Sequence, residues 1–270
     1  MKKSFRIILS TLLMVCIMGC GADNSRREAA AALVEQARSL TEAHQYDSAL
    51  VVLDTLNIKY RDCLDERREG TLVRLSALSS LTRDSLAAAE LQLRSVTTEI
   101  DSLAPHFRKV EVEGTEGYYV NMGIYSGSEM NNTGIQARID DQGYCFIVAN
   151  VEGRRIGLNS IGFGDISTPA INSIEVEGSE IMSITQEAAA DLLNALSQGK
   201  GVAKIVLNGV KGKVDVTISP KQREAIVATW HYAIALQQQR ALNIRLEKLE
   251  RQLARLSDQL ASQIPLPEED

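Results

Sequence analysis

Aromatic side chains and basic charge are both scarce in this chain of 270 residues. Phe, Trp and Tyr make up 4% of the sequence, which argues against a carbohydrate cleft lined with aromatic rings. The formal net charge is −6, whereas proteins that bind nucleic acid normally present a basic face. Hydrophobic residues reach 44%, close to the globular average, so a folded chain is expected. The composition therefore predicts a globular protein with no nucleic-acid partner.

Motifs for catalysis and metal binding are lacking as well. The three histidines, His44, His106 and His231, are far apart, and no pair has the helical spacing of a zinc site. The chain has no Cys-x-x-Cys, which excludes a zinc ribbon and a thioredoxin-type site. Residues 157–162 miss the Gly-x-Ser-x-Gly turn of serine hydrolases by one position. We therefore predict no catalytic residue, no metal site and no cofactor, and we do not expect an enzyme.

The N-terminus combines basic residues with a short apolar run. Ile7 to Met18 is almost wholly apolar for 12 residues, which is too short for a transmembrane helix of about 20 residues. The run ends in Ile17-Met18-Gly19-Cys20, which resembles the lipobox of bacterial lipoproteins. The resemblance implies that residues 1–19 are a signal peptide and that Cys20 is lipidated and becomes the first mature residue. The alternative is an ordinary signal peptide cut nearby, with Cys20 unmodified or lost.

Lipidation would attach the mature protein to a membrane. Removal of residues 1–19 leaves 26 basic and 35 acidic residues, a net charge of −9, which anionic headgroups repel. Acyl chains such as palmitate contribute about 0.8 kcal/mol per buried CH₂, so the anchor itself must hold the protein. Gly21 follows Cys20, and lipoproteins of the inner membrane often carry Asp there. The resemblance thus implies a lipid-anchored cell-envelope protein, with the outer membrane favoured.

Glycines divide the chain into helical flanks and a β-rich middle. Of 18 glycines, 15 lie between Gly114 and Gly212, and glycine is unfavourable inside helices. Short apolar stretches with turn residues between them, and one helix over 186–197, predict an antiparallel β sandwich or small barrel as a head domain over 105–219. The expected strands are 109–113, 117–125, 135–139, 144–151, 154–159, 173–177, 181–184, 203–207 and 214–218.

Two helices are expected in residues 20–70, which also hold the anchor and a tether. These helices cover 29–43 and 47–65. Residues 44–61 resemble one tetratricopeptide-like helical hairpin, with Tyr46 and Ala49 in matching positions and His44 in place of the usual glycine. No copy follows 34 residues later, so a lone hairpin is predicted instead of a peptide-binding array.

Heptad repeats of apolar residues occupy both helical flanks. The first covers residues 71–104, and the second lies in a long C-terminal helix over 220–262, before an acidic tail at 263–270. Both helices meet the β-rich segment at their inner ends. We therefore predict an α+β fold in which an antiparallel coiled-coil stalk carries the β domain inserted at its tip, with Leu75 near Leu249. The alternative is a single helix that packs flat on the domain.

Four aromatic residues form a candidate binding surface. Tyr118, Tyr119 and Tyr125 cluster early in the β-rich segment, and Trp230 opens the last helix. Amphipathic rings are favoured at protein interfaces. The alternative is that these rings seal the junction between stalk and head.

The pattern Asp-(Ser/Thr)-aliphatic occurs four times in the helical part. It is similar to the O-glycan acceptor motif that some Gram-negative anaerobes use on exported proteins. The resemblance implies four candidate acceptors, which are Ser48, Thr55, Ser85 and Ser102. The alternative is ordinary amphipathic patterning, in which a polar pair precedes an apolar seam residue.

Cys63 and Cys145 are the two cysteines that follow Cys20. An exported protein could pair them, but we favour two separate thiols, one in a helix and one in a buried strand. The sequence as a whole predicts a lipid-anchored envelope protein with a structural or binding role. Its expected partners are the membrane, through the anchor, and another envelope protein or polymer. The alternative is an envelope enzyme with an unidentified active site in the β domain.

Overall fold

The computed structural model describes residues 22–111, 117–123 and 132–263. It confirms a mixed fold of helices and antiparallel strands. The helices are α1 (Ala22–Glu42), α2 (Tyr46–Lys59), α3 (Leu64–Leu103), α4 (Ala190–Gln198) and α5 (Pro220–Gln263). The strands are β1 (Phe107–Val110), β2 (Tyr118–Asn121), β3 (Gly134–Ile139), β4 (Cys145–Glu152), β5 (Leu158–Phe163), β6 (Ile166–Ser167), β7 (Ile174–Val176), β8 (Ser179–Thr185), β9 (Ala203–Gly209) and β10 (Gly212–Ile218).

The chain divides into two compact units. Among the described residues, unit 1 contains 22–87 and 248–263, and unit 2 lies within Ala88–Glu247. Helices α3 and α5 each contribute one part to unit 1 and the other part to unit 2. Among the described residues, no helix combines the length and the hydrophobicity needed to cross a bilayer.

Unit 1 is built on small apolar residues at helical spacing. On α2, Ala49, Leu53 and Leu56 recur three or four positions apart and are at most 1% exposed. Gly70 on α3 allows a close approach, because a Cβ atom there would lie 2.6 Å from Leu56 Cδ2. The buried core of unit 1 consists of Ala30, Val34, Ala37, Ala49, Leu53, Leu56, Cys63 and Val73.

The turn between α1 and α2 is tied to α3 by polar contacts. His44 has a φ of +57°, the left-handed conformation that favours glycine. The Tyr46 hydroxyl donates a 2.6 Å hydrogen bond to Asp84 Oδ2, and His44 Nδ1 lies 2.9 Å from the same oxygen. These bonds lower the pKa of the Asp84 carboxyl below its ordinary value.

The strands of unit 2 form two antiparallel sheets. Sheet A has the order β1-β2-β3-β4-β8-β7, and sheet B has the order β10-β9-β5-β6. Strand β4 is one of the two central strands of sheet A, and its Ile147 lies opposite Ala137 of β3 and Ile184 of β8. The antiparallel pairing that the sequence predicts is therefore confirmed.

Both sheets and helices α4 and α5 contribute to the core of unit 2. Along β4, Cys145, Ile147 and Ala149 alternate with residues on the opposite face, as the period of a strand requires. The apolar face of α4 is buried as well. The largest fully buried side chains of the unit are Ile139, Ile147, Leu158, Ile161, Met182, Ile184, Leu192, Leu193, Leu196 and Ile205.

The sequence predicts the first residue of α5 correctly, but it places the start of α4 too early. Ser219 and Gln222 form a capping box, because Gln222 N donates to Ser219 Oγ (3.2 Å) and Ser219 N donates to Gln222 Oε1 (2.9 Å). Pro220 is the first residue of α5. Helix α4 begins at Ala190, four residues after the predicted start, because a turn at 186–189 precedes it.

One predicted strand lies in the wrong place. The sequence indicates a strand over 154–159, but residues 154–157 form a loop and β5 begins at Leu158. The loop is held by hydrogen bonds to residues distant in sequence, including Val210 N to Gly157 O at 3.0 Å. No local pattern encodes such contacts.

The predicted register of the two long helices is wrong in unit 1. Gln252 Nε2 on α5 donates a 3.3 Å hydrogen bond to Thr82 Oγ1 on α3. Pairing of Leu75 with Leu249 would place Thr82 near Leu242 instead, about three helical turns from Gln252.

The register differs from the predicted one because of how the first turns of α5 pack. The prediction assumed that the helix leaves the β domain at its first residue. Ile226 and Ala233 are instead buried in the core of unit 2, so this part of α5 packs on the sheets. The leucine seam of α5 comes later, and all its members are buried or half-buried. These members are Leu242, Leu246, Leu249, Leu253, Leu256 and Leu260.

We expect Leu53→Ala to lower the free energy of unfolding by about 2–5 kcal/mol, because it removes a fully buried side chain and leaves a cavity. Val51→Ala is the matched control, since Val51 lies on the same helix and is 64% exposed. Its effect should stay within about 0.5 kcal/mol. Urea denaturation followed by circular dichroism measures both variants. Equal losses would contradict the assigned core of unit 1.

Candidate binding cleft

A cleft of about 380 Å³ lies in unit 2 between α5, strand β2 and the turn that joins β3 to β4. Helix α5 forms one wall, and the turn forms the other. The lining residues are Tyr119, Asp140, Asp141, Gln142, Gly143, Tyr232, Leu236, Gln239, Arg240, Asn243 and Ile244.

The α5 wall of the cleft changes from apolar to polar along one helical face. Tyr232, Leu236, Gln239, Arg240 and Asn243 follow one another at spacings of one, three or four residues, which keeps them close together on the helix surface. Tyr232 is buried and Leu236 is half-buried, whereas Arg240 and Asn243 are exposed. The cleft therefore has an apolar inner end and a polar, accessible outer end.

The opposite wall is a tight turn fixed by its own aspartate. Asp140 Oδ1 accepts hydrogen bonds from Gln142 N (2.9 Å) and Tyr144 N (2.8 Å). Gly143 has a φ of +80°, and a Cβ atom there would lie 3.3 Å from Leu236 Cβ. Glycine is therefore required at this position both for its conformation and for the approach of α5.

Two hydrogen bonds hold the turn against α5. Gln237 Nε2 donates to Gly143 O at 3.1 Å, and Arg240 Nη1 donates to Gln142 Oε1 at 3.2 Å. These two bonds join the walls of the cleft, one through a backbone carbonyl and one between exposed side chains.

Aromatic rings and one ion pair lie at or beside the cleft. The ring of Tyr232 stacks on that of Phe107, with centroids 4.4 Å apart. Burial raises the pKa of Tyr232, so its hydroxyl stays protonated and can donate a hydrogen bond. Lys109 Nζ lies 2.9 Å from Asp141 Oδ1 and 5.9 Å from the centre of the Tyr119 ring. The hydrogen bond to Asp141 raises the pKa of Lys109.

This arrangement favours recognition over acid–base chemistry. Both carboxylates of the cleft are already bonded, Asp140 to backbone N–H groups of its turn and Asp141 to Lys109. The Asn243 amide and the remaining N–H donors of the exposed Arg240 guanidinium can bind a partner by hydrogen bonding, and the phenol rings can bind by stacking.

The predicted binding residues do not come together as one surface. Tyr119 lines the cleft, whereas Tyr118 points to the opposite face of the sheet, where the Arg138 guanidinium lies 4.1 Å from its ring centre. Trp230 is half-buried and packs against the core of unit 2. Tyr125 lies outside the described residues, as does the predicted lipidation site Cys20.

Sequence reasoning missed the polar part of the α5 wall. The available signal was the polar run Gln237 to Arg240, which interrupts an otherwise apolar helical face. Such a run predicts exposure, but it does not reveal that a turn a hundred residues earlier faces it.

The four candidate O-glycan acceptors all lie on helices. Ser48 and Ser102 are exposed, and Thr55 and Ser85 are half-buried. Two of the aspartates that precede them have other roles, since Asp84 accepts the hydrogen bond from Tyr46 and Asp54 pairs with Arg74. The motif therefore has a structural explanation at these two positions.

Glu180 on β8 is the most buried carboxylate described, at 4% exposure. It accepts three backbone hydrogen bonds, from Ile156 N (3.0 Å), Gly157 N (2.9 Å) and Leu158 N (3.1 Å). Burial raises the pKa of this carboxyl, but the three N–H donors and Lys211 outweigh it, so the pKa lies below its ordinary value. The charge serves to hold the loop before β5.

Arg223 on α5 is a second buried charge, at 7% exposure. Its guanidinium donates to Leu196 O (2.6 Å), Ala195 O (3.2 Å) and Gly201 O (3.3 Å). It thus satisfies carbonyl groups at the C-terminal end of α4, where a cation is favoured. Gly199 lies beside the guanidinium.

The two described thiols are unpaired and buried. Cys63 precedes α3 in unit 1, and Cys145 opens β4 in unit 2. Burial raises the pKa of Cys63 and raises the pKa of Cys145 to about 12, so both are protonated at neutral pH. No group of three or more His, Cys, Asp or Glu side chains within the described ranges is placed to hold a metal ion.

In comparisons with known proteins, no family model, no curated protein and no solved structure matches the chain. The functional conclusion therefore depends on the residues and contacts of this chain.

We expect Glu180→Gln to lower the free energy of unfolding by about 1–3 kcal/mol at neutral pH, because an amide cannot accept all three N–H donors with a carboxylate's charge. Since the folded pKa of Glu180 lies below the ordinary value of 4.5, its stabilisation is complete above that value. It is lost as the pH falls through the folded pKa.

Unfolding free energies at several pH values should therefore show the gap between wild type and Glu180→Gln closing under acid conditions. Glu187→Gln, which changes an exposed glutamate in the turn before α4, is the control and should change little. A gap that widens on acidification would contradict the assigned role of the carboxylate.

Proposed function

We propose that this chain is a lipid-anchored cell-envelope protein that binds another envelope protein or an envelope polymer through unit 2. In this proposal Cys20 carries the anchor, the two sheets pack as a β sandwich, and the helical segments form a stalk. The main support is the cleft beside α5. It combines an apolar inner end, a polar rim and two walls joined by hydrogen bonds.

The state of the ionisable groups in the cleft supports binding over catalysis. Arg240 and Asn243 are exposed at the outer end, where they can contact a partner. The carboxylates of Asp140 and Asp141 are used in the turn and the ion pair, and the raised pKa of Lys109 makes it a poor general base. A binding module therefore fits the cleft better than the enzyme alternative.

The leucine repeat of α5 supports a stalk. Its six leucines, from Leu242 to Leu260, are buried or half-buried, while the residues between them are exposed. A narrow apolar stripe of this kind is typical of a coiled-coil helix. On α3 the heptad positions Ser79, Thr82 and Ala89 are buried, as are Val73 and Ala77 outside the heptad, so its buried surface is wider.

The anchor is tested by replacing Cys20. We expect Cys20→Ser to move the protein from the membrane fraction to the soluble periplasmic fraction, because no thiol remains to be acylated. Cys16→Ser alters a cysteine of the same leader and should leave the protein in the membrane fraction. Immunoblots of fractionated cells measure both. If Cys20→Ser stays with membranes after a high-salt wash, the anchor proposal is wrong.

Binding through the cleft is tested with a photo-crosslinking amino acid at position 243 in living cells. We expect a discrete adduct of defined mass, since Asn243 lies on the exposed rim. The same amino acid at position 202, which is 60% exposed and lies outside the cleft, is the control. Matching adducts from both positions, or none from position 243, would contradict a partner at this cleft.

A further inference from the structure

Strand β10 is an open edge of sheet B. It pairs along its whole length with β9, from Gly212 opposite Gly209 to Ile218 opposite Ala203. In the part of the chain that the structure describes, no strand pairs with its other side. A strand edge of seven residues with free N–H and C=O groups is a template for another strand.

A groove of about 560 Å³ runs beside this edge. Residues 213–217 of β10 form one side, and Thr133, Glu152 and Arg154 form the other. Added strands lie about 4.8 Å from their neighbours, so an extended segment needs only a narrow space of this kind.

The side chains of β10 alternate between two faces. The charges on one face are complementary to those of a second copy of the strand that runs antiparallel to it. Lys213, Asp215 and Thr217 are exposed on one face, while Val214 and Val216 are half-buried on the other. Strands related by a twofold axis perpendicular to the sheet pair residues of the same face. The axis must therefore lie midway between the two copies of one residue.

The position of that axis decides which charges meet. An axis at Val214 places Lys213 opposite Asp215 of the second copy, and Asp215 opposite Lys213 of that copy. An axis at Lys213 or at Asp215 would place like charges opposite each other, which is unfavourable. Only the register centred on Val214 forms two opposite-charge pairs across the new ladder.

We propose that β10 is a dimerisation edge, at which a second copy of this chain adds its own β10 antiparallel with Val214 at the twofold axis. Two observations identify the occupant as a second copy of the chain. Lys213 and Asp215 are complementary in charge, and the edge of β10 that carries them is open in the described part of the chain. The opposing explanation is that these charges keep the edge free, as they do on many sheet edges. That explanation requires a monomer.

Charge reversal separates the two explanations. Lys213→Asp places Asp opposite Asp, and Asp215→Lys places Lys opposite Lys. Each single variant should weaken self-association of the full-length chain about tenfold, measured by sedimentation equilibrium in detergent. The double variant exchanges the two charges, restores both pairs and should dimerise like the wild type.

A mixture of the two single variants gives the sharpest test. Lys213→Asp and Asp215→Lys complement each other in this register, so a tagged form of one should capture the other and not itself. Lys204→Asp on β9, exposed on the same face but not at the edge, is the control and should dimerise normally. A wild-type chain that is monomeric at all concentrations, or a dimer insensitive to both reversals, would overturn the proposal.

Discussion

One buried carboxylate fixes the relation between the two sheets of unit 2. Glu180 stands on β8 of sheet A, and its three hydrogen-bond donors are the residues that lead into β5 of sheet B. Burial of a charge is unfavourable, but three charge-assisted hydrogen bonds compensate for it and satisfy a loop with no ladder partner. Strand β5 in turn aligns β9, and β9 aligns β10. The edge and groove of sheet B therefore depend on a side chain of sheet A.

Structure that depends on contacts between residues close in the chain could be predicted from the sequence. Structure that depends on contacts such as those of Glu180 could not. The capping box of Ser219 and Gln222 and the turn at 140–143 were predictable because residues three positions apart make the contacts. The start of β5 was not, because it is set by Glu180 about two dozen residues later in the chain. The register of α5 failed for the same reason, since burial of its first turns depends on the sheets. The binding cleft shares this origin, because α5 and the turn meet only in the folded state.

Unit 2 presents two surfaces of different physical character. The cleft beside α5 offers side-chain amides and phenol rings, whereas the edge of β10 offers backbone groups. They use different residues, so occupation of one does not require release of the other. A dimer formed through β10 would carry two clefts, and a partner with repeated binding sites would then bind with an avidity greater than the affinity of either cleft.

The C-terminal end of α4 places a constraint on substitution that its backbone conformation does not suggest. Gly199 has a φ of −98°, which every residue adopts readily, so glycine is not needed here for its flexibility. A Cβ atom at this position would, however, lie 1.8 Å from the Arg223 guanidinium. A side chain at this position would force the guanidinium to move away from the carbonyl groups that accept its hydrogen bonds. Glycine at position 199 therefore marks the end of a helix in the sequence, and in the fold it leaves the space that a buried cation occupies.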